Sequence, residues 1–329
     1  MIGTRTPFRV SFAGGGSDLK EFYSRQPGCV LSTAINKYMF IFVHPFFDER
    51  IQVKYARTEL VNDVSEIKHP IVREALRKFG INGIDINSIA DIPAGTGLGS
   101  SGSFTVGLLQ ALYAYSGQNP AKEELAREAC AIEIDIMGEP IGKQDQYAAA
   151  YGGLNFITFH SDDTVSVEPV IMTQDKYREL ENNLLFFYVG GARLARDVLS
   201  IQKYNTISDE KTFGNIKKMT VLAKNLKDSF SAGNLQDVGL ILDEGWKLKK
   251  DLSLKISDDK IDYYYDAARK NGASGGKLLG AGGGGVLMFY CEQTHQEKLR
   301  QSLKDLKEYK FKFDNLGTKI IYDLRNEVS

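Results

Sequence analysis

The strongest constraint on this chain is a glycine-rich segment at residues 93–104, Pro-Ala-Gly-Thr-Gly-Leu-Gly-Ser-Ser-Gly-Ser-Phe. Its three alternating glycines let backbone N–H groups turn toward one point, because no Cβ atom stands in the way. Two serine hydroxyls and an apolar helical run follow, and a helix N-terminus adds unpaired N–H donors and the positive end of its dipole. The segment therefore predicts a phosphate-binding loop. Its predicted phosphate-binding residues are Gly95, Gly97, Leu98, Gly99, Ser100 and Ser101.

Two widespread phosphate-binding motifs fit this segment poorly. Gly97, Gly99 and Gly102 match a dinucleotide-binding pattern by letter, but the preceding strand at 84–92 is too polar for a parallel strand buried on both faces. A Walker loop requires Lys followed by Ser or Thr where this chain has Ser103-Phe104. A glycine-rich turn without a ligand stays open as the alternative for the segment taken alone.

Other segments of the chain favour the phosphate-binding loop over this alternative. Arg5-Thr-Pro-Phe-Arg9 leads into Gly-Gly-Gly-Ser-Asp at residues 14–18, Gly-Lys-Gln-Asp-Gln follows at 142–146, and four glycines occupy 282–285. In this order the segments resemble the small-molecule kinases named after galactokinase, homoserine kinase, mevalonate kinase and phosphomevalonate kinase, the GHMP kinases. The N-terminal segment resembles the branch that acts on D-glycero-D-manno-heptose 7-phosphate, and L-fucose kinases are its nearest neighbours.

The order of predicted elements favours an α+β fold, because strands and helices mix without a steady βαβ rhythm. The resemblance implies the two-domain GHMP kinase fold, with a ribosomal-protein-S5-like N-terminal domain at 1–170 and a ferredoxin-like C-terminal domain at 171–329. Polar residues at 161–182 suggest the boundary. Strands are predicted at 8–13, 28–43, 51–53, 84–92, 154–159, 184–189, 286–290 and 319–323, and helices at 70–79, 103–115, 119–137, 144–151, within 194–250 and at 292–308.

Composition limits the possible partners. The 41 Lys and Arg residues balance 42 Asp and Glu, which argues against a general nucleic-acid binder. The three scattered cysteines favour reduced thiols in a cytoplasm over disulfides. The most apolar stretch, 38–47, is too short to span a bilayer, and the N-terminus lacks a secretory pattern. We expect a cytoplasmic protein that binds small molecules; its oligomeric state stays open.

Asp145 is the candidate general base. A lone Asp where a polar loop meets an alanine-rich helix is more often a helix cap. The resemblance assigns Asp145 instead to the family's base, which accepts the proton of the attacking hydroxyl. It also assigns Arg9 to the position of a family lysine near that base, where a guanidinium stabilises charge but does not deprotonate.

Glu133 is a candidate metal ligand. It lies on a helical stripe of small apolar residues and should face inward, where it needs a partner. A metal ion and a buried Arg or Lys are both possible from the pattern, and the resemblance favours the metal. Ser101 is the second candidate ligand for Mg²⁺, and Asp135 is a weaker one because it points away from the Glu133 face.

The acceptor site is predicted from the resemblance. Galactokinases carry Glu and His where this chain has two glycines in the N-terminal loop, which argues against galactose and leaves room for a larger sugar. Arg193 is a candidate for an anionic group, with Lys277 and Arg196 as further candidates. The predicted substrate-binding residues are Gly15, Gly16, Ser17, Asp18, Arg193, Gly283 and Gly284.

Together with these features, the resemblance implies an enzyme that uses ATP and Mg²⁺ to phosphorylate the anomeric C1 hydroxyl of D-glycero-D-manno-heptose 7-phosphate to the 1,7-bisphosphate, for nucleotide-activated heptose. An L-fucose-kinase-like sugar 1-kinase is the alternative within the same class. A nucleotide-binding protein without turnover is the alternative of another class, and Asp145, Glu133 and Ser101 together argue against it. A dehydrogenase is disfavoured by the polar strand at 84–92.

Overall fold

The first sheet is built on two long strands that follow each other in sequence, β1 (Ile2–Ala13) and β2 (Gly28–Pro45). Both are rich in Val, Ile, Phe and Thr, which suit a pleated, half-buried surface. The computed structural model describes residues 1–191 and 195–324. The other strands of this sheet are β3 (Ile51–Lys54), β4 (Thr58–Val61), β5 (Ile84–Ala90), β6 (Leu154–Phe159), β7 (Val165–Pro169) and β12 (Lys319–Asp323). Their order is β12-β1-β2-β5-β3-β4, with β6 paired to β2 and β7 to β6.

The strands of the second sheet are β8 (Leu184–Gly190), β9 (Gly275–Leu278), β10 (Gly285–Tyr290) and β11 (Lys307–Tyr309). Their order is β11-β8-β10-β9, and the sheet is antiparallel throughout. In the first sheet only β3 and β5, among the described strands, run parallel to each other. The predicted α+β class with antiparallel-rich sheets is confirmed.

Helices cover both sheets. They are α1 (Lys20–Tyr23), α2 (Pro70–Phe79), α3 (Ser100–Tyr115), α4 (Lys122–Cys130), α5 (Gln144–Tyr151), α6 (Gln174–Asn182), α7 (Ala195–Ser208), α8 (Glu210–Ser231), α9 (Val238–Lys250), α10 (Asp259–Lys270) and α11 (Gln296–Ser302). A π-helical turn (Ala131–Ile136) continues α4, and short 3₁₀ turns lie at Val64–Glu66 and Gln293–His295. None of the helices in the described ranges is long and apolar enough to cross a membrane.

Helix α3 is the centre of the larger core. It is buried on nearly every face and packs on β1 and β2, as its apolar sequence predicted. Gly99 begins the helix with φ +79°, a backbone conformation that side chains other than glycine rarely adopt. A second core lies between the second sheet and the helices on it, around the buried Trp246 and Phe289. The phosphate-loop segment therefore leads directly into the buried helix α3.

Several regions differ from the prediction, among them the following three. The polar stretch 161–182 contains β7 and α6, held by the buried Leu180 and by pairing with β6. Helix α10 was not predicted; it is capped by Asp258, whose side chain accepts from the Ile261 N–H. The helix predicted at 292–308 ends at Ser302, because the chain then pairs with β8 as β11.

The predicted division at residue 170 falls between β7 of the first sheet and β8 of the second. Strand β12 crosses that division, since it returns from the C-terminal half to pair with β1, placing Ile2 opposite Asp323. The first sheet therefore contains β1 to β7 from the N-terminal half and β12 from the C-terminal half, and β12 lies beside the strand that carries Arg9.

Candidate active site

The predicted base and the predicted cation are paired directly. Arg9 Nε donates to Asp145 Oδ1 at 2.8 Å and Nη2 donates to Oδ2 at 2.9 Å. Arg9 projects from β1 and only 5% of its side chain is exposed, whereas 26% of the Asp145 side chain is exposed. Asp145 lies in the first turn of α5, where the positive end of the helix dipole favours a carboxylate. The pair presents a fixed carboxylate at the wall of a cavity.

The phosphate-loop segment lies against this pair. Arg9 Nη1 donates to the carbonyl of Gly97 at 2.5 Å, and the Arg9 N–H donates to the carbonyl of Leu98 at 3.0 Å. A Cβ added to Gly99 would lie 3.3 Å from Asp145 Oδ2, and one added to Gly102 would lie 2.9 Å from Asp145 Cβ. These glycines permit a close approach of α3 to the carboxylate, a packing role that is separate from phosphate binding.

Glu133 faces inward, as predicted, and is 1% exposed. Its carboxylate accepts hydrogen bonds from Ser101 Oγ and, at 2.9 Å, from Gln146 Nε2. Burial raises the pKa of Glu133, and the charge of Asp145 raises it further, while the hydrogen bonds lower it. The alternative of a buried ion pair is not realised, because Glu133 pairs with no Arg or Lys of the described ranges. Asp135 is exposed, in agreement with its lower rank.

The oxygen donors at Glu133 and Ser101 fit Mg²⁺. Mg²⁺ prefers hard oxygen ligands and usually takes one or two protein carboxylates together with substrate phosphates and water. Within 1–191 and 195–324, no group of three or more His, Cys, Asp or Glu side chains is arranged to hold a metal ion. Glu133 and Ser101 are therefore the residues beside the phosphate loop that could contribute oxygen ligands to a metal ion.

The N-terminal glycine loop meets the same cavity. Asp18 is buried, accepts from the Gly16 N–H at 2.9 Å, and has its pKa raised by burial and by the charge of Asp145. Gly15 and Gly16 line the cavity, and a Cβ on Gly16 would lie 2.4 Å from Gln202 Nε2. Three of the predicted acceptor residues, Gly15, Gly16 and Asp18, are therefore brought to Asp145.

Other predicted residues lie outside the cavity wall. The hydroxyl of Ser17 donates to the carbonyls of Gly14 and Cys29 inside the protein, at 2.7 and 3.0 Å. The Gly283 N–H donates to the carbonyl of Ile256, and Gly284 packs on Gly190 and Gly191. Gly280 and Ala281, just before them, line the cavity instead. Arg193 lies outside the described residues.

The cavity has a volume of about 500 Å³ and opens between the two sheets. It extends from the acceptor loop past Asp145 and the phosphate loop to His69. Most of the buried side-chain polar atoms without a hydrogen-bond partner in the described parts of the chain belong to residues of its wall. These atoms are Ser11 Oγ, His69 Nδ1, Gln144 Oε1 and Gln146 Oε1.

Sequence reasoning missed several residues of this wall. Gln202 faces Gly16 from α7, and Lys249 faces the cavity from the last turn of α9. A signal for Lys249 was present, because it shares a helical stripe with Leu242 and Trp246 at spacings of seven and three. Ser11 and Gln144 are neighbours of predicted residues and gave no separate signal.

The fold and the site define a small-molecule kinase, with a phosphate loop at a helix N-terminus, a fixed carboxylate, and a polar cavity for an acceptor. Models of the GHMP kinases N terminal domain and of the GHMP kinases C terminal region match residues 66–153 and 222–308. Because the two matches together span more than half of the chain, the protein belongs to the GHMP kinase family.

Named relatives cover nearly the whole chain. A D-glycero-alpha-D-manno-heptose 7-phosphate kinase of Campylobacter jejuni is 29% identical over 97% of this chain and 98% of its own length. A bifunctional fucokinase/GDP-fucose pyrophosphorylase of Arabidopsis thaliana is 29% identical over 94% of this chain and 32% of its own length. The crystal structure of a D-glycero-D-manno-heptose 1-phosphate kinase from Bacteroides thetaiotaomicron, 26% identical, superposes with a TM-score of 0.81 over 98% of this chain and 100% of that one. The predicted class, an ATP-dependent sugar kinase, is confirmed.

Proposed function

We propose that this protein transfers the γ-phosphoryl group of ATP to the anomeric C1 hydroxyl of D-glycero-D-manno-heptose 7-phosphate and forms the 1,7-bisphosphate. The observation that carries the proposal is the Arg9–Asp145 pair, which faces both the phosphate loop and the acceptor loop in one cavity. The choice of a heptose phosphate is supported by the likeness to the Campylobacter jejuni enzyme along the whole chain.

The chemistry assigned to these residues is a single displacement. The acceptor hydroxyl approaches Asp145, which takes its proton as the oxygen bonds to the γ-phosphorus. The bond between the γ-phosphorus and the bridging oxygen breaks, and ADP leaves. Arg9 holds the carboxylate in place, and its positive charge offsets the negative charge of the phosphates. Positioning and electrostatics provide most of the catalysis in phosphoryl transfer.

Ser101 and Glu133 are the residues that would hold Mg²⁺, which would supply positive charge to offset the negative charge of the nucleotide phosphates. The raised pKa of Glu133 supports this assignment, because a buried carboxylate without a cation is costly and a divalent cation offsets that cost. We assign the purine of the nucleotide to the part of the cavity that His69, Pro70 and Ile71 line.

The acceptor would lie between Asp145 and the N-terminal loop. Asp18 and the unpartnered oxygens of Ser11 and Gln144 offer hydrogen bonds to sugar hydroxyls. Arg193 stays a sequence prediction for the acceptor phosphate. Ser17, Gly283 and Gly284 would act through the shape of the backbone, since their surroundings in the fold are other protein atoms.

A second candidate is a sugar 1-kinase that acts on L-fucose. The specific observation in its favour is the Arabidopsis thaliana relative, which matches this chain at the same identity as the heptose 7-phosphate kinase. The two functions share Asp145 and the phosphate loop, and they differ in the acceptor, because L-fucose is a different sugar and carries no phosphate.

The product tests the proposal. With ATP and heptose 7-phosphate, ³¹P NMR should show one new resonance coupled to the anomeric proton. A new phosphate on another carbon would contradict the assignment to C1. Heptose 1-phosphate is the informative second acceptor, because the name of the Bacteroides thetaiotaomicron enzyme places the existing phosphate on C1.

We also propose a cytoplasmic enzyme on a route to nucleotide-activated heptose for surface polysaccharide. Use of ATP supports this location, as do three buried cysteines that form no disulfide with one another. Measurement of the bisphosphate in cells with and without the gene tests the route. An unchanged bisphosphate level would contradict it.

A further inference from the structure

Two lysines line the active-site cavity on the side of the second sheet. Lys249 ends α9 and is 8% exposed, and Lys277 lies on β9 and is 7% exposed. Lysine is almost never this deeply buried unless it is paired. The free-energy cost of burying these two amines must therefore be offset by a partner.

Their partners are carbonyl oxygens. Lys249 Nζ donates to the carbonyls of Leu278 and Gly280, at 3.2 and 2.5 Å, and Lys277 Nζ donates to the carbonyl of Phe12 at 3.1 Å. Neither lysine forms an ion pair with a carboxylate in the part of the chain that the structure describes. Two buried cations without a counter-ion are costly for an unliganded protein.

The surrounding charges increase that cost. Burial lowers the pKa of Lys249 to about 7, and the charge of Arg9 lowers it as well. Burial places the pKa of Lys277 well below its ordinary value, with further lowering by Lys249 and Arg9. Three basic side chains therefore share one wall, and of these three only Arg9 has a carboxylate partner.

The two lysines lie close to the phosphate loop and to the N-terminal glycine loop. Gly280, which accepts from Lys249, packs against Gly97 of the phosphate loop, where a Cβ on Gly280 would lie 2.4 Å from Gly97 Cα. The Phe12 carbonyl that accepts from Lys277 lies on β1, just before the N-terminal glycine loop. The lysines thus stand between the predicted nucleotide phosphates and the predicted acceptor.

We propose that Lys249 and Lys277 bind a phosphoryl group in this cavity and act on substrate together with Arg9. The inference rests on the proposed function, because it places a phosphorylated ligand in the same site. Two sources provide that chemistry, the terminal phosphoryl group of ATP and the phosphate of the acceptor. A lysine ammonium group has three N–H donors and a compact positive charge, and it can bind a phosphoryl group from either source.

The central experiment measures binding to Lys249→Met and Lys277→Met by titration calorimetry in the presence of Mg²⁺. Lys247→Met is the matched control, since Lys247 lies on the same helix but is exposed and pairs with Asp243. One arm compares a non-hydrolysable ATP analogue with ADP, and the other compares heptose 7-phosphate with unphosphorylated heptose. We expect each cavity variant to lose about 10-fold or more in affinity for the phosphorylated member of one arm.

The arm that responds identifies the source of the phosphoryl group. If the affinities in both arms stay within about 2-fold of wild type, as for the control, the proposal is overturned. The nucleotide arm needs no acceptor, so a failure of the heptose assignment does not obscure it.

Two further measurements separate ligand binding from a structural role. Near pH 7.5 the wild type should take up protons on binding, in calorimetry with buffers of different ionisation enthalpy, because an anion favours the charged lysine. Lys249→Met should take up fewer protons than wild type, because only Lys277 of the two lysines remains. At pH 7 the unliganded Lys249→Met protein should melt at the same or a higher temperature than wild type, since it removes a poorly solvated amine. A lower melting temperature with unchanged proton uptake and affinity would assign Lys249 a structural role only and overturn the proposal.

Discussion

Arg9 and Asp145, 136 residues apart, are joined by two parallel hydrogen bonds of 2.8 and 2.9 Å. The same guanidinium donates to the carbonyl of Gly97 in the phosphate loop. One side chain therefore fixes the distance and the angle between the carboxylate and the loop. Charge-assisted, bidentate pairs of this kind provide geometric specificity as well as binding energy.

Asp145→Asn should lower kcat by about 10²- to 10⁴-fold, because an amide does not accept the proton of the acceptor hydroxyl. Steady-state kinetics gives kcat, and titration with a non-hydrolysable ATP analogue should give an affinity within a few-fold of wild type. A kcat within a few-fold of wild type would exclude Asp145 as the base. Because phosphoryl transfer has a loose transition state, we expect the lower part of the range.

Arg9→Lys should lower kcat although it keeps the charge, because an ammonium does not make the two parallel hydrogen bonds. Loss of one charge-assisted contact costs about 1.5–3 kcal/mol, which corresponds to roughly 10- to 150-fold. Arg5→Lys on the same strand is the matched control, since Arg5 pairs with Asp314 away from the cavity. Equal effects of the two substitutions on kcat would contradict the role of Arg9.

Gly102→Ala should displace Asp145, because the added Cβ would lie 2.9 Å from Asp145 Cβ and 3.0 Å from its carbonyl carbon. A misplacement of about 1 Å costs up to roughly 10²-fold in rate. Gly214→Ala, on α8, is the control, since nothing lies within 4 Å of its added Cβ. Circular dichroism checks folding. Full activity in folded Gly102→Ala protein would show that this contact does not set the carboxylate position.

Much of the site could be predicted from local patterns. The phosphate-binding loop at 93–104 could be predicted from its glycines. The strands predicted at 154–159 and 319–323 match β6 and β12. The burial of Glu133 followed from its apolar helical stripe. Asp145 and Arg9 needed the family resemblance, because nothing within each segment indicates that β1 and α5 meet.

The elements and site residues that the sequence did not predict correctly depend on contacts between distant segments. β11 has three residues and exists because it pairs with β8, and β7 exists because it pairs with β6. The sequence predicts that Gly283 and Gly284 bind substrate, but in the fold protein backbone occupies the space beside them. Close packing of backbone in the turn before β10 explains why glycine occupies these positions.

Glu133→Gln should raise the Mg²⁺ concentration needed for the half-maximal rate, because a neutral amide is a poorer ligand. Titration of the rate with Mg²⁺ measures this, and Asp135→Asn is the exposed control on the same turn. An unchanged Mg²⁺ requirement would contradict the metal assignment.

The pH dependence of stability gives an independent check on Glu133. Its pKa is raised above the ordinary value of 4.5, so the folded state binds its proton more tightly than the unfolded state. The stability this provides is present below about pH 4.5 and is lost as the pH rises through the folded pKa. Without Mg²⁺, Glu133→Gln should therefore gain stability relative to wild type as the pH rises from about 4.5 to neutral. Melting curves at several pH values measure this, and a constant difference would contradict it.

The central claim is that the cavity accepts a phosphorylated heptose at Asp145. The most direct measurement is ATP-dependent ADP release with heptose 7-phosphate, unphosphorylated heptose, L-fucose, mannose and galactose at equal concentrations. We predict the highest kcat/KM for heptose 7-phosphate, at least about 10-fold above unphosphorylated heptose, since one lost contact to a charged group has about that cost. Equal use of the two heptoses, or preference for L-fucose, would contradict the account and favour the L-fucose kinase function.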